Sequence, residues 1–436
     1  MAETQQHYRR NFACLVGDWV TFSTGTAFAS YTTVIPSFVN QITDFAPLIG
    51  LATTIPNGAW LLPQLIAANY VGSRKRKKPW FIGLSLLGRP AYYLVTLAVF
   101  LAGTRYPWLL LAVFFFAETT FSLLDGLASV AWFDILSKVI PPQTRGRFYS
   151  AAQVLTGLAS MAAGIVVARV LGPGGPPFPQ NYGLLFFLAS TLLLVSIGCF
   201  LFIKEPVLEA QHTREAWRVY LPRLARLLRR DEQLRLVNAV RLLAALGGLG
   251  APFYVVHATD ILGTGAESVG LFVSAQVIGG FIASLAMGYL NERSGSRTVS
   301  QLTVALGLCA PVLALLLHYF RPPAVLAAYS YALVFLFIGA NYSGYVQGFM
   351  NFVLDIAPPA ERPAYVGLSN TLGGTLAFVA PLLGGWLLEG TSYPILFAVT
   401  GIGLLASVVA ALRLKEPRHL RLAETPEDCP KRSTPL

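Results

Sequence analysis

The sequence predicts an all-α membrane protein, twelve transmembrane helices in two pseudo-symmetric six-helix bundles, and three observations carry that prediction. Of 436 residues, 55% are hydrophobic and 12% charged, with a mean hydropathy of +0.59; a soluble domain has about twice that charged share. Apolar runs recur near 12–40, 46–71, 79–102, 106–136, 147–172, 182–203, 236–259, 266–290, 298–319, 323–349, 363–388 and 392–413. Each is long enough to cross a ~30 Å hydrocarbon core as a helix. The second half also repeats the loop signals of the first. Pro358-Pro359-Ala360-Glu361-Arg362 repeats Pro141-Pro142-Gln143-Thr144-Arg145, Lys415-Glu416-Pro417 repeats Lys204-Glu205-Pro206, and Gly295-Ser296-Arg297 repeats Gly72-Ser73-Arg74. Each copy follows the same span of its half, as a duplicated bundle requires.

The net charge of +11 is a topology signal and not a nucleic-acid surface. Placing the N-terminus in the cytoplasm puts 27 of the 32 lysines and arginines on the cytoplasmic side and leaves Arg105, Arg169 and Arg321 outside. The positive-inside rule then sets both termini in the cytoplasm of a multi-pass protein of the cell (inner) membrane. The expected division is a first bundle over 1–203, a cytoplasmic linker over 204–235, a second bundle over 236–413 and a cytoplasmic tail over 414–436.

Span one is too long, and too soon interrupted by Asp18, to be a cleaved signal. Beyond Asp18 it is rich in hydroxyls, Thr24 among them, and Pro36 predicts a kink near its outer end. The run Arg74 to Lys78 reads as a headgroup-facing anchor. In span three Arg89 either snorkels or neutralises Asp18 or Asp125, the structural pairing being preferred.

Span four contains the stretch Trp108 to Trp132, with Glu118 and Asp125 inside it. These acids share a face with Ser122, Ser129 and Trp132, against Leu, Val and Phe on the other side. A carboxylate facing lipid costs at least ~2.5–3.5 kcal/mol, so this stripe must face protein or water. Glu118 is near the midplane, a depth suited to loading a proton on one side and losing it on the other. Asp18 and Asp125 share a shallower depth. The alternative is that these acids pair with basic residues and hold the bundle together.

Small residues from Gly157 to Gly164 in span five predict close helix approach. In the linker, apolar residues from Trp217 to Leu228 recur at helical spacing among arginines, which predicts a basic amphipathic helix over about 213–230 on the membrane face; the alternative is a calmodulin-like partner site. Span seven offers Gly247, Gly248, Gly250 and Tyr254, a flexible or a close-packed run, and His257 reads as a solvated interface residue. Arg241 either forms a gate pair with the acids of the first half or snorkels to the surface. In span ten, Asn341, Tyr342, Tyr345 and Gln347 suit hydrogen bonding and stacking with an organic solute.

The loop at Gly288, Glu292, Arg293, Gly295 and Arg297 is similar to the GxxxDRxGxR motif of the major facilitator superfamily, with Glu292 where the family has Asp. Ala380-Pro381-Leu382-Leu383-Gly384-Gly385 is near that family's GPxxGG. On these motifs the chain resembles the superfamily over essentially its whole length. The first-half loop is degenerate, with Leu65, Asn69 and Tyr70 at the Gly, acid and Arg positions, and span five lacks the proline of the antiporter signature. The resemblance implies alternating access, with spans one, four, seven and ten lining a central cavity. It also implies that this loop helps latch one conformation, with Gly288 permitting close packing and Glu292 able to accept from a neighbouring helix N-terminus; the residues from Gly288 to Arg297, and Arg241 by its depth, are the candidate gate.

The expected function is secondary active transport of a small organic solute coupled to protons. Glu118, Asp125 and Asp18 are the candidate coupling and cavity acids; Thr24, Tyr254, Asn341, Tyr342 and Tyr345 are the candidate cavity residues. The alternatives are an uncoupled facilitator of the same fold and a non-transporting membrane receptor. No cofactor, metal cluster, phosphate loop or nucleophile elbow occurs, so an enzyme is not expected. The expected partners are a small solute, protons and lipid, with no nucleic acid, and the expected state is a monomer.

Overall fold

The computed structural model describes residues 7–71, 76–141, 144–206, 225–358 and 361–417. Arg74 and Lys75 of the basic run, most of the linker helix expected over 213–230, and the tail beyond Pro417 lie outside the described residues; Lys77 of that run is buried and paired with Asp134 (2.7 Å), not facing headgroups, and within the linker 225–230 is helical.

The first half contributes α1 (Tyr8–Phe28), α2 (Ala46–Val71), α3 (Lys78–Gly88 and Ala91–Ala102), α4 (Pro107–Val139), α5 (Arg145–Leu171) and α6 (Gln180–Leu201). In the second half, α7 opens as Glu232–Ala245 and α10 as Ala324–Gly344; both carry on through irregular turns. Next to these lie α11 (Arg362–Gly390) and α12 (Tyr393–Ala411). Between α7 and α10 runs a single 53-residue helical segment, Ser268–Phe320, broken at Gly295 into α8 (268–294) and α9 (296–320).

The chain reverses at that break. In a straight helix Gly279 and Gly307 would lie ~42 Å apart. Yet Gly279 packs on Leu336 and Gly307 on Asn341, neighbours within about a turn and a half of α10. Gly295 has φ +84° and ψ 169°, a conformation essentially reserved for glycine, and the Glu416 carboxylate occupies the place where a Cβ would sit. Gly295→Ala should therefore cost at least about 1–3 kcal/mol in thermal unfolding of detergent-solubilised protein. Gly288→Ala is the control. A Cβ there meets only Gln347 Oε1 at 3.7 Å, so the close packing expected of Gly288 is absent and its variant should be near neutral.

The two bundles pack by matching rules. α1 packs on α5 and α6, α2 on α4, and α3 on α4 and α6; the second half repeats each pairing six helices later. Between bundles, α2 meets α11 and α5 meets α8, as an axis relating the halves demands. Small residues make these contacts possible. Gly164 and Gly270 bring the α5 and α8 backbones into contact, and Gly50 and Gly385 do so for α2 and α11.

The repeated Lys-Glu-Pro has a physical function in both bundles. The Glu205 carboxylate accepts from the backbone N–H groups of Lys77 (3.0 Å) and Lys78 (2.9 Å), capping α3, while Glu416 accepts from Arg297 N (3.2 Å) at the start of α9. At the other end of each bundle's chain path, Asn11 bonds the Lys204 backbone in both directions (3.1 and 3.0 Å), and Gln233 Oε1 accepts from Lys415 N (3.0 Å).

Helices α1 and α7 are both interrupted at equivalent places. α1 ends at Phe28 and resumes as the short helix Val34–Asn40. α7 passes through the 3-10 turn Leu246–Leu249, the short Phe253–Val256 and the π turn His257–Ile261. The break in α1 precedes Pro36, which sits inside the first turn of the resumed helix instead of kinking a continuous one. The glycines of α7 are both interrupted and packed: Gly248 lies against Ala380 and Gly384 of α11 against the Leu249 carbonyl.

Candidate functional site

The polar interior of the first bundle is organised by Arg89. Its helix is interrupted at Pro90, which has no N–H to continue the ladder, and Tyr93 N bonds the Pro90 carbonyl. That leaves the Arg89 carbonyl to accept from Ser190 on α6 (3.1 Å). The guanidinium reaches Asp18 on α1 (3.5 Å), Asp125 on α4 (3.4 Å) and Ser196 on α6. It also stacks over Phe22 and Phe81, with 4.8 and 5.1 Å to the ring centroids.

Two tryptophans complete the acids. Trp132 Nε1 donates to Asp18 Oδ2 (2.6 Å) and Trp60 Nε1 to Asp125 Oδ2 (3.2 Å). The second bond depends on Gly126, where a Cβ would collide with the Trp60 backbone, so α2 and α4 can touch beside Asp125. All three ionisable groups are buried, with exposures of 2% for Asp18, 3% for Arg89 and 8% for Asp125. The preferred sequence reading of Arg89 as a pairing residue matches this geometry, and it pairs with both acids at once. With all three groups ionised, the cluster carries one excess negative charge.

Glu118 is separate from this cluster. It is 1% exposed, accepts from Tyr92 OH (2.6 Å) and Ser122 Oγ (3.1 Å), and has no Lys, Arg or His nitrogen within 4.0 Å among the described residues. The acidic stripe of α4 therefore faces the interior of its own bundle, while Phe116, Leu123 and Phe133 take the exposed side.

The second bundle holds a lone cation. Arg241 on α7 is 5% exposed; its Nε donates to Tyr345 OH (3.0 Å), its Nη2 to Asn370 Oδ1 (3.2 Å), and its guanidinium lies 5.1 Å from the Tyr345 ring centroid. Both partners belong to its own bundle, so Arg241 makes no gate pair with Asp18 or Asp125. Nor does it snorkel.

The remaining expected residues separate. Tyr342 is 62% exposed on α10. Thr24 returns its hydroxyl to the Val20 carbonyl (2.7 Å). Asn341 donates to the Thr303 carbonyl of α9 (2.8 Å), and Gln347 to Ser284 of α8, so both hold helices together. Tyr254 is buried against Phe397 of α12, with stacked rings 5.1 Å apart, and does not face a cavity. His257 is fully buried and not solvated, bonded to Tyr331 OH (2.8 Å) and His318 Nδ1 (2.9 Å). Arg293 lies over the Tyr289 ring, 4.7 Å from its centroid. Trp60, Tyr92, Ser196, Gln276 and Asn370 were not singled out from the sequence, because isolated polar residues in apolar runs carry no pattern.

The bundles are joined on the side away from the termini. There Thr32 donates to Gln276 (2.8 Å), Asn40 to Asp260 (2.9 Å) and the Ala46 N–H to Glu389 (3.3 Å). Contact between α5 and α8 loosens toward the termini: Gly164 touches Gly270, whereas Gly157 has only Phe281 at 3.7 Å. On that looser side an open apolar groove of about 770 Å³ lies between α1 and α5, lined by residues such as Phe12, Val16, Val20, Leu155 and Leu158.

Comparison with known proteins bears on this arrangement. Residues 242–434 match the family model described as Major Facilitator Superfamily. No curated protein matches the chain. Among solved structures, the nucleoside transporter NupG is similar with a TM-score of 0.65 at 12% identity, over 95% of this chain and 100% of that one. A bacterial homologue of the iron transporter ferroportin in an inward-facing state gives 0.64 at 18% identity, over 93% and 98%. A bacterial homologue of the human lysosomal transporter Spinster, inward-facing and unoccupied, gives 0.60 at 11%, over 93% and 95%.

Proposed function

We propose that this chain, whose residues 242–434 match the Major Facilitator Superfamily, is a secondary transporter of that superfamily that moves a small organic solute by alternating access, coupled to protons. The observation that carries the reading is the polarity of the bundle interiors. Four ionisable groups of the first half, Asp18, Arg89, Glu118 and Asp125, are buried, the last three of them in helices long and apolar enough to cross a membrane. Such groups are costly there and are retained where a polar pathway or proton relay uses them. The bonds from Thr32, Asn40 and Ala46 to the second bundle act as the seal of one state, with the termini side open to the cytoplasm. Rocking about that seal would expose the opposite face.

Glu118 is the coupling carboxylate in this proposal. A bare carboxylate with two hydroxyl donors and no cation beside it is best neutralised by a proton. Asp18 and Asp125 are held by Arg89 and position α1 and α4 around it. A pH gradient imposed on proteoliposomes should drive solute above its equilibrium level, and that level should fall when the gradient is collapsed by an ionophore. Flux indifferent to the gradient would leave an uncoupled facilitator, and an absence of flux for every solute that binds would leave a receptor.

A further inference from the structure

Arg241 is a buried permanent cation with no carboxylate within 4.0 Å among the described residues. Its bonds to Tyr345 and Asn370 are to neutral groups, made through Nε and Nη2. Burying a charge is costly unless it is paired. The contrast with Arg89 is sharp: that guanidinium has two acids, and Arg241 has none.

Two features show that the surroundings hold the guanidinium in place. Gly373 of α11 has no side chain where a Cβ would come within 3.3 Å of Arg241 Nη2 and 3.0 Å of Tyr345 OH, so the glycine leaves room for the guanidinium. Tyr345 opens the π turn Tyr345–Phe349, a wider helical turn of a kind frequent at functional sites. On the other side of the molecular pseudo-symmetry, the bonds of Asn11 and Gln233 to Lys204 and Lys415 make position 241 the counterpart of Trp19. Trp19 belongs to an aromatic cluster, 5.3 Å from Trp132 and 6.1 Å from Tyr149 between ring centroids.

We infer that Arg241 is the recognition site for the anionic group of the solute, which is an organic anion, a carboxylate or a phosphate ester, with an aromatic or apolar body. This rests on the transport reading above and gives it a substrate class. The planar guanidinium fork matches the two oxygens of such a group, and Asn370 and Tyr345 set its orientation. The Tyr345 ring, 5.1 Å from the guanidinium, offers an aromatic face for the body of the ligand.

The test is thermal unfolding of the purified full chain with phenylacetate, phenylacetamide, phenyl phosphate, inorganic phosphate and phosphatidylglycerol in separate arms. The expected result is stabilisation by phenylacetate or phenyl phosphate but not by the amide. Arg241→Gln should weaken it about tenfold or more, and Arg241→Lys should retain part of it. Equal effects of acid and amide, binding that survives Arg241→Gln, or no shift with any organic anion would overturn the assignment. Stabilisation by phosphatidylglycerol alone would overturn it in favour of a lipid site, and by inorganic phosphate alone in favour of a simple anion site. Arg241→Lys guards against a variant that merely fails to fold. The transport reading fails separately: proteoliposomes that carry a neutral solute equally well with Arg241→Gln sink the anion site and leave transport standing.

Discussion

Arg89→Ala is expected to lower the stability of the chain by about 3–5 kcal/mol, the largest loss for any single substitution in the first bundle. The reason is arithmetic of charge. Asp18 and Asp125 are buried on different helices and share this one guanidinium, so its removal leaves two uncompensated carboxylates in a low-dielectric interior. It also removes the donor to Ser196 and the stacking over Phe22 and Phe81, which tie α3 to α6 and α1. Arg89→Lys should fall between wild type and Ala, since a single ammonium cannot reach both acids and the serine in one geometry. Thermal unfolding in detergent measures the loss. Adding Asp18→Asn and Asp125→Asn to Arg89→Ala should recover a large part of it, and a triple variant no more stable than Arg89→Ala would show that packing, not charge, is what Arg89 supplies.

Much of this fold was legible in the sequence because a bilayer constrains it so tightly. Backbone groups must pair within a helix, so apolar runs and their flanking charges report the spans directly. The repeats Lys204-Glu205-Pro206 and Lys415-Glu416-Pro417 foretold a duplicated bundle, and the structure supplies their physics: each glutamate caps a neighbouring helix. The stripe of α4 was readable as a buried face, since helical period alone sets which residues share a side. What it faces was not. Whether Glu118 meets a central cavity or the interior of its own bundle depends on how α3 packs, and that places Tyr92 against it.

The misplacements share that cause. Tyr254, Asn341 and His257 are polar residues in apolar helices, and each was assigned to water or solute. Each instead finds a partner in its own bundle: Phe397, the Thr303 carbonyl, and Tyr331 with His318. Such pairings are long-range and leave no local pattern. The isolation of Arg241 had no sequence signal either, because the lack of a partner is visible only once the neighbours are known.

The most direct test of the central proposal is Glu118→Gln, read as transport. The amide keeps the shape and both bonds, accepting from Tyr92 and donating to Ser122, and so mimics the neutral acid. A variant fixed in that form cannot release a proton, yet its cavity and seal are unchanged. Proteoliposomes carrying it should exchange labelled solute between equal compartments at near wild-type rates. With an imposed pH gradient they should fail to accumulate solute above equilibrium, while wild type does. Full gradient-driven accumulation by Glu118→Gln would contradict the account and remove Glu118 from the coupling step.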